Sequence, residues 1–154
     1  MKKLTPEEKK TITRKLKEEY NSDEVNYIGC NRFEVRVKYQ VDLEDSNNTW
    51  LYKAKLFDEK GNPISLAYEY SGIFNFSRGV AVVCTRENII KGERVTQHQQ
   101  NGLIDINGKE LLPCIYDWIH PHSEGSIEIT KDGQKKITFV DEIINGEFEW
   151  EAKK

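Results

Sequence analysis

Arg32-Phe33-Glu34-Val35-Arg36-Val37-Lys38-Tyr39-Gln40-Val41-Asp42-Leu43 alternates polar and apolar residues without a fault. Successive side chains on a strand point to opposite faces, so this period of two predicts a strand with one buried and one wet face. β-branched and aromatic residues fill the apolar positions, as a half-buried pleated surface favours. The polar cluster Glu44-Asp45-Ser46-Asn47-Asn48 follows and reads as a turn. Alternation resumes from Thr49 to Phe57, with Trp50, Tyr52, Ala54 and Leu56 on one side. The two runs are predicted to pair as a long antiparallel hairpin within residues 25–57.

Upstream of the hairpin the period lengthens to about four. Thr5-Pro6-Glu7-Glu8 has the form of a helix start: a hydroxyl at the N-cap, proline at the first helical position and glutamate at N3. Ile12, Leu16 and Tyr20 then form a narrow apolar stripe, with Lys9, Lys10, Arg14, Lys15 and Lys17 on the other faces. A surface helix over residues 4–20, docked by one edge, is expected. Glu18 and Glu19 oppose the helix dipole at its C-terminal end, where Asn21-Ser22-Asp23 is expected to stop it. Downstream, Lys60-Gly61-Asn62-Pro63, Ser77-Arg78-Gly79, Asn107-Gly108, Ser123-Glu124-Gly125, Asp132-Gly133 and Asn145-Gly146 separate short apolar runs. Asn-Gly and Asp-Gly supply the positive φ of tight hairpin turns, so this half reads as all-β.

The whole chain of 154 residues suits a single domain, residues 1–154, able to bury a core without a disulfide or metal staple. Sixteen aromatic residues (6 Phe, 7 Tyr, 3 Trp) are too many for a disordered chain. Basic residues number 23 against 26 acidic, a net charge of −3, which lacks the basic excess of a nucleic-acid footprint. No apolar run approaches the ~18 residues of a membrane span, and no apolar stretch follows Met1-Lys2-Lys3 as in a secretory leader. Cys30, Cys84 and Cys114 form no CxxC, and an odd count argues against a disulfide framework. A cytoplasmic location, with neither nucleic acid nor membrane as partner, is the expectation.

Self-comparison shows a repeat. Phe57-Asp58 and Gly61 match Ile104-Asp105 and Gly108 at an offset of 47, and Tyr70, Ile73, Ser77 and Gly79 match Tyr116, Ile119, Ser123 and Gly125 at 46. A first copy is placed at 53–84, an insertion loop at 85–100 and a second copy at 101–141, with a third, partial copy beginning at Phe139-Val140-Asp141. The second copy reads Gly102-Leu103-Ile104-Asp105-Ile106-Asn107-Gly108-Lys109-Glu110-Leu111-Leu112-Pro113-Cys114-Ile115-Tyr116-Asp117, then Ser123-Glu124-Gly125. It resembles a bacterial WG repeat, although Asn101 stands where that family carries its tryptophan and no Trp-Gly pair occurs in the chain. The resemblance does not extend to the first 45 residues.

The repeat positions have structural readings. Asp105 suits bonding to the backbone of the Asn107-Gly108 turn, Pro113 a strand end or sheet edge, and Gly125 a bulge or tight turn. Tyr116 suits burial of its ring with the hydroxyl on a backbone acceptor, and Asp117 completes the motif. The sharpest metal-like feature is His120-Pro121-His122, whose imidazoles share a strand face within possible reach of Cys114 or Asp117. The repeat places both histidines over Phe74 and Phe76, which points instead to packing positions. Cys30 with His98 is a conceivable nucleophile and base without a supporting signature. The 85–100 segment offers Arg86, Arg94, His98 and Gln99 as donors in several geometries and is the expected binding loop.

The fold expected is mainly β (α+β): an N-terminal helix, a long hairpin and WG-like hairpin repeats in a twisted antiparallel sheet or stack. The lack of a coherent catalytic constellation, the many charges and the resemblance together lead to the expectation of a bacterial, non-enzymatic module that binds another protein, without catalytic residues, metal or cofactor; the small acidic chain gives its specific form, a toxin-neutralising immunity protein. The alternative is a metal-dependent enzyme or small-ligand binder using His120 and His122.

Overall fold

A computed structural model describes residues 2–22, 24–40, 50–64, 70–92 and 94–150. The helix start behaves as its residues dictate. Thr5 Oγ1 accepts from the Glu8 N–H at 3.1 Å, Glu8 Oε1 accepts from the Thr5 N–H at 3.0 Å, and α1 (Pro6–Tyr20) ends on Asn21 in the left-handed region. Its stripe docks as expected. Leu16, with Ile12 and Tyr20 beside it, packs on Phe33, Val35 and Phe57, and the Tyr20 ring meets Phe57 edge-on at 4.9 Å.

Among the described residues, ten strands form three antiparallel sheets. The first has the order β1 (Glu24–Tyr27), β2 (Phe33–Gln40), β3 (Trp50–Phe57). The second is β4 (Gly72–Ile73), β5 (Val80–Lys91), β6 (Arg94–Asp105), β7 (Glu110–Tyr116). The third places β9 (Ser126–Lys131) between β8 (Trp118–Pro121) and β10 (Gln134–Phe139). The predicted hairpin is β2 with β3, paired from Phe33↔Phe57 to Gln40↔Trp50, and its turn falls outside the described residues.

The repeat is a matter of register. Gly72↔Cys84 and Ile73↔Val83 in one unit become Trp118↔Thr130 and Ile119↔Ile129 in the next, each shifted by 46. Tyr70 opposes Ala54 as Tyr116 opposes Asn101. The two turns match bond for bond. Asp58 Oδ1 accepts from Lys60 N and Asn62 N, and Asp105 Oδ1 accepts from Asn107 N and Lys109 N, all at 2.9 Å. The layout also reaches a segment whose sequence does not show it: Val25↔Val35 and Phe33↔Phe57 occupy the register of Ile73↔Val83 and Ala81↔Ile104. Three units therefore stack, with β1, β4 and β8 equivalent.

Stacking decides which faces are buried. Phe33 and Val35 turn toward α1, while Ala54 and Leu56 join Ile73, Ala81, Val83 and Ile104 in the core between the first and second sheets. Val80, Val82, Leu103 and Leu112 join Ile119, Ile127 and Ile129 in the core between the second and third. The expectation of a wet face on β2 is corrected accordingly: Glu34 is 1% exposed and Arg32 6%, because a second sheet covers them. Arg32 lies in hydrogen-bond reach of three oxygens, the Ile106 carbonyl at 2.7 Å, the Asn31 carbonyl and the Glu59 carboxylate.

Two further expectations change. Residues 85–100 are not an insertion loop; β5 and β6 pair without interruption from Val80↔Asp105 to Lys91↔Arg94, turning at Gly92. Backbone bonds extend this ladder however polar the side chains are, which is why composition alone suggested a loop. The third copy does not begin at Phe139-Val140-Asp141. Val140 and Ile143, three apart on the short helix α2 (Val140–Ile144), bury against the second inter-sheet core. No helix is long and apolar enough to cross a membrane among the described residues.

Candidate binding cleft

Among the described residues β1, β4 and β8 each have a neighbouring strand on one side only, and the three edges border one cleft of about 680 Å³. Asn26 and Tyr27 line it from β1, Ile73 from β4, and the whole of β8 from the third sheet, with Gln99 and Asn101 reaching in from β6. Trp118 is 58% exposed and Phe74 40%, unusual for large apolar rings. Trp118 and His120, two apart on β8, stack nearly parallel with centroids 6.2 Å apart.

The cleft floor is polar and held in place. Glu34 Oε2 accepts from the Ile73 N–H at 2.5 Å, and Oε1 accepts from Asn26 Nδ2 at 3.1 Å. Arg36 Nε lies 2.8 Å from the same Oε1, at ion-pair distance but without hydrogen-bond alignment. Arg86 Nε donates to Gln99 Oε1 at 2.9 Å, Gln99 Nε2 to Asn101 Oδ1 at 3.0 Å, and Asn101 Nδ2 to the Asp117 carbonyl at 2.8 Å. An amide in place of the tryptophan thus ties β6 to the start of β8. The adjoining Gly102 has no room for a side chain: a Cβ there would meet the Leu112 carbonyl oxygen at 2.5 Å.

The residues chosen from sequence separate. Arg86 and Gln99 are opposite one another and bonded, on the face that carries Asn101 into the cleft. His98 pairs with Glu87 on the other face and is exposed, and Arg94 opposes Lys91 beside the hairpin turn, its side chain outside the described residues. The repeat positions fall at turns and on a sheet edge. Asp105 bonds its turn, Pro113 sits on the edge strand β7, Gly125 takes φ +100° in the β8–β9 turn, and Asp117 Oδ2 accepts from the Asp132 N–H at 2.8 Å. Tyr116 buries its ring against Trp150 at 5.7 Å, but among the described residues no backbone acceptor meets its hydroxyl. Glu34, Arg36, Asn101 and Trp118 were not predicted as site residues; the asparagine at a tryptophan position was the available signal.

The metal constellation does not assemble. Among the described residues no three His, Cys, Asp or Glu side chains come together. His120 stacks on Trp118, His122 is exposed beside the turn, Cys114 packs against the core between the first two sheets, and Asp117 bonds the Asp132 backbone. Nor are two of the thiols activated. Burial pushes Cys84 up, and burial, with Cys84 and Glu110 adding to it, pushes Cys114 up to about 12. Cys30, in the turn after β1, packs against the same core, whereas His98 lies exposed on β6. What the cleft offers is hydrogen bonding and ring stacking.

Three register-matched sheets, with the same Asp-centred turn after β3 and after β6, define a repeat protein built of stacked antiparallel units. The WG containing repeat family matches residues 56–88 and 102–134, so the chain carries two WG repeats, each running from the end of one sheet into the next. No curated protein and no solved structure matches the chain.

Proposed function

We propose that the chain is a non-enzymatic interaction module that grips another protein in the cleft bordered by β1, β4 and β8. The observation that carries this reading is the cleft itself: exposed rings of Trp118 and Phe74 above a floor of fixed amides and a buried ion pair. Rigid aromatic anchors beside satisfied polar groups are the usual make-up of a protein-binding hot spot. Neutralisation of a toxin or nuclease in a bacterial cytoplasm is the specific form of the proposal, supported by a small acidic chain of net charge −3.

Affinity capture from extract of the source cells tests it, comparing the native chain with a Phe74→Ser, Trp118→Ser double variant. A protein retained by the native chain and lost by a variant of unchanged thermal melting is the expected result. Retention of the same protein by both, or of none by the native chain, overturns it.

A further inference from the structure

We infer that the cleft contains a carboxylate subsite, in which the outward-facing backbone N–H of Ile119 takes an acidic side chain of the partner. Residues on an antiparallel strand alternate between facing the neighbour and facing away. Phe74 N bonds the Val82 carbonyl, so on β4 the intervening Ile73 N–H points away from β5. It is there that Glu34 Oε2 reaches across from the first sheet at 2.5 Å. On β8 the same phase recurs one unit later. His122 N bonds the Ser126 carbonyl, which turns Trp118 and His120 toward β9 and leaves the Ile119 N–H pointing into the cleft.

The second unit lacks what fills this place in the first. Glu34 opposes Leu56 and lies between Phe33 and Val35; the residue in that register one unit on is Val82, opposite Leu103 and between Ala81 and Val83. Valine has no acceptor. The Ile119 side chain packs in the core, and among the described residues no side chain bonds its N–H at the strand edge. An edge N–H that faces a cleft can exchange water for a partner's acceptor, and a carboxylate is the strongest acceptor a protein partner can bring. The first unit therefore displays, inside the molecule, the contact that the second holds open. Arg36 and Arg86 near the cleft favour an anion, and the charge of Glu34, which accepts from two donors and is paired with Arg36, opposes it least.

This inference rests on the cleft being the partner site. The probe is an acetylated, amidated pentapeptide, Val-Thr-Glu-Thr-Val, and its glutamine twin, titrated into the ¹⁵N-labelled full chain. The glutamate peptide is expected to move the Ile119 amide proton downfield to saturation and to bind about tenfold more tightly than the glutamine twin. Val82→Glu, which places the chain's own carboxylate where Glu34 sits one unit earlier, should abolish that binding, and Val82→Leu should retain it. An unmoved Ile119 amide, or equal affinity for both peptides, overturns the subsite whether or not the variants fold. If partner capture still depends on Trp118 while Ile119 fails to respond, the subsite falls and the cleft stands; if capture fails as well, both fall.

Discussion

Glu34→Ala is the most informative perturbation of the stack. The side chain is 1% exposed and carries a charge through the interface between the first and second sheets. Its removal strands the Ile73 N–H and Asn26 Nδ2, and leaves Arg36 without its anion. Breaking a buried ion pair from one side costs about 3–5 kcal/mol. Arg36 is 19% exposed and its guanidinium lies 5.9 Å from the Tyr52 ring centroid, so water and the ring recover part of its loss. A net loss of about 4 kcal/mol is expected, and for a chain of this size that lowers Tm by roughly 8–16 °C. Glu128→Ala is the control. Glu128 pairs with Lys135 at 3.2 Å, but the two are 24% and 59% exposed, and such a pair contributes no more than about 1 kcal/mol. Thermal unfolding followed by circular dichroism, with urea titration as a second measure, separates the two. A Glu34→Ala chain that melts within about 3 °C of the native one would refute the claim that this carboxylate joins the units.

Two other outcomes follow from the geometry. Gly102→Ala should cost about 3 kcal/mol, since its Cβ would strike β7 backbone at 2.5 Å, whereas Gly79→Ala, at φ +79° with nothing within 4 Å, should cost about 1 kcal/mol; equal urea midpoints would remove the close-approach explanation. The Cys114 thiol, raised by burial from 9.0 to about 12, keeps its proton in the folded chain while the unfolded chain loses its own near 9. Its contribution to stability is thus complete below about pH 9 and lost as pH rises toward 12. Cys114→Ala should flatten the decline of stability over that window, and an unchanged pH profile would contradict the assignment.

The candidate site was visible in the sequence only in fragments. Arg86 and Gln99 were chosen for their donors and do meet, but the polar run around them had suggested a loop, not paired strands. Glu34 and Arg36 looked like ordinary members of a wet strand face. Nothing in a period of two reveals that another sheet will lie over the polar side. His120 and His122 drew attention through their spacing, yet spacing along one strand says nothing about a third ligand from elsewhere.

Local chemistry settled what local chemistry can. The Thr5-Pro6-Glu7-Glu8 cap and the Asp58 and Asp105 turns are contacts within a few residues, and the alternation of β2 and β3 is a pattern between next neighbours, so the sequence alone determined them. Tertiary structure alone decided that β1–β2–β3 is a third unit of the same stack, since its likeness to the others lies in hydrogen-bond register, which many side chains satisfy. It also decided which polar groups are buried and where three sheet edges meet. Those outcomes depend on how whole sheets pack on one another: the repeat shows that two segments are alike, and not which of their faces meet.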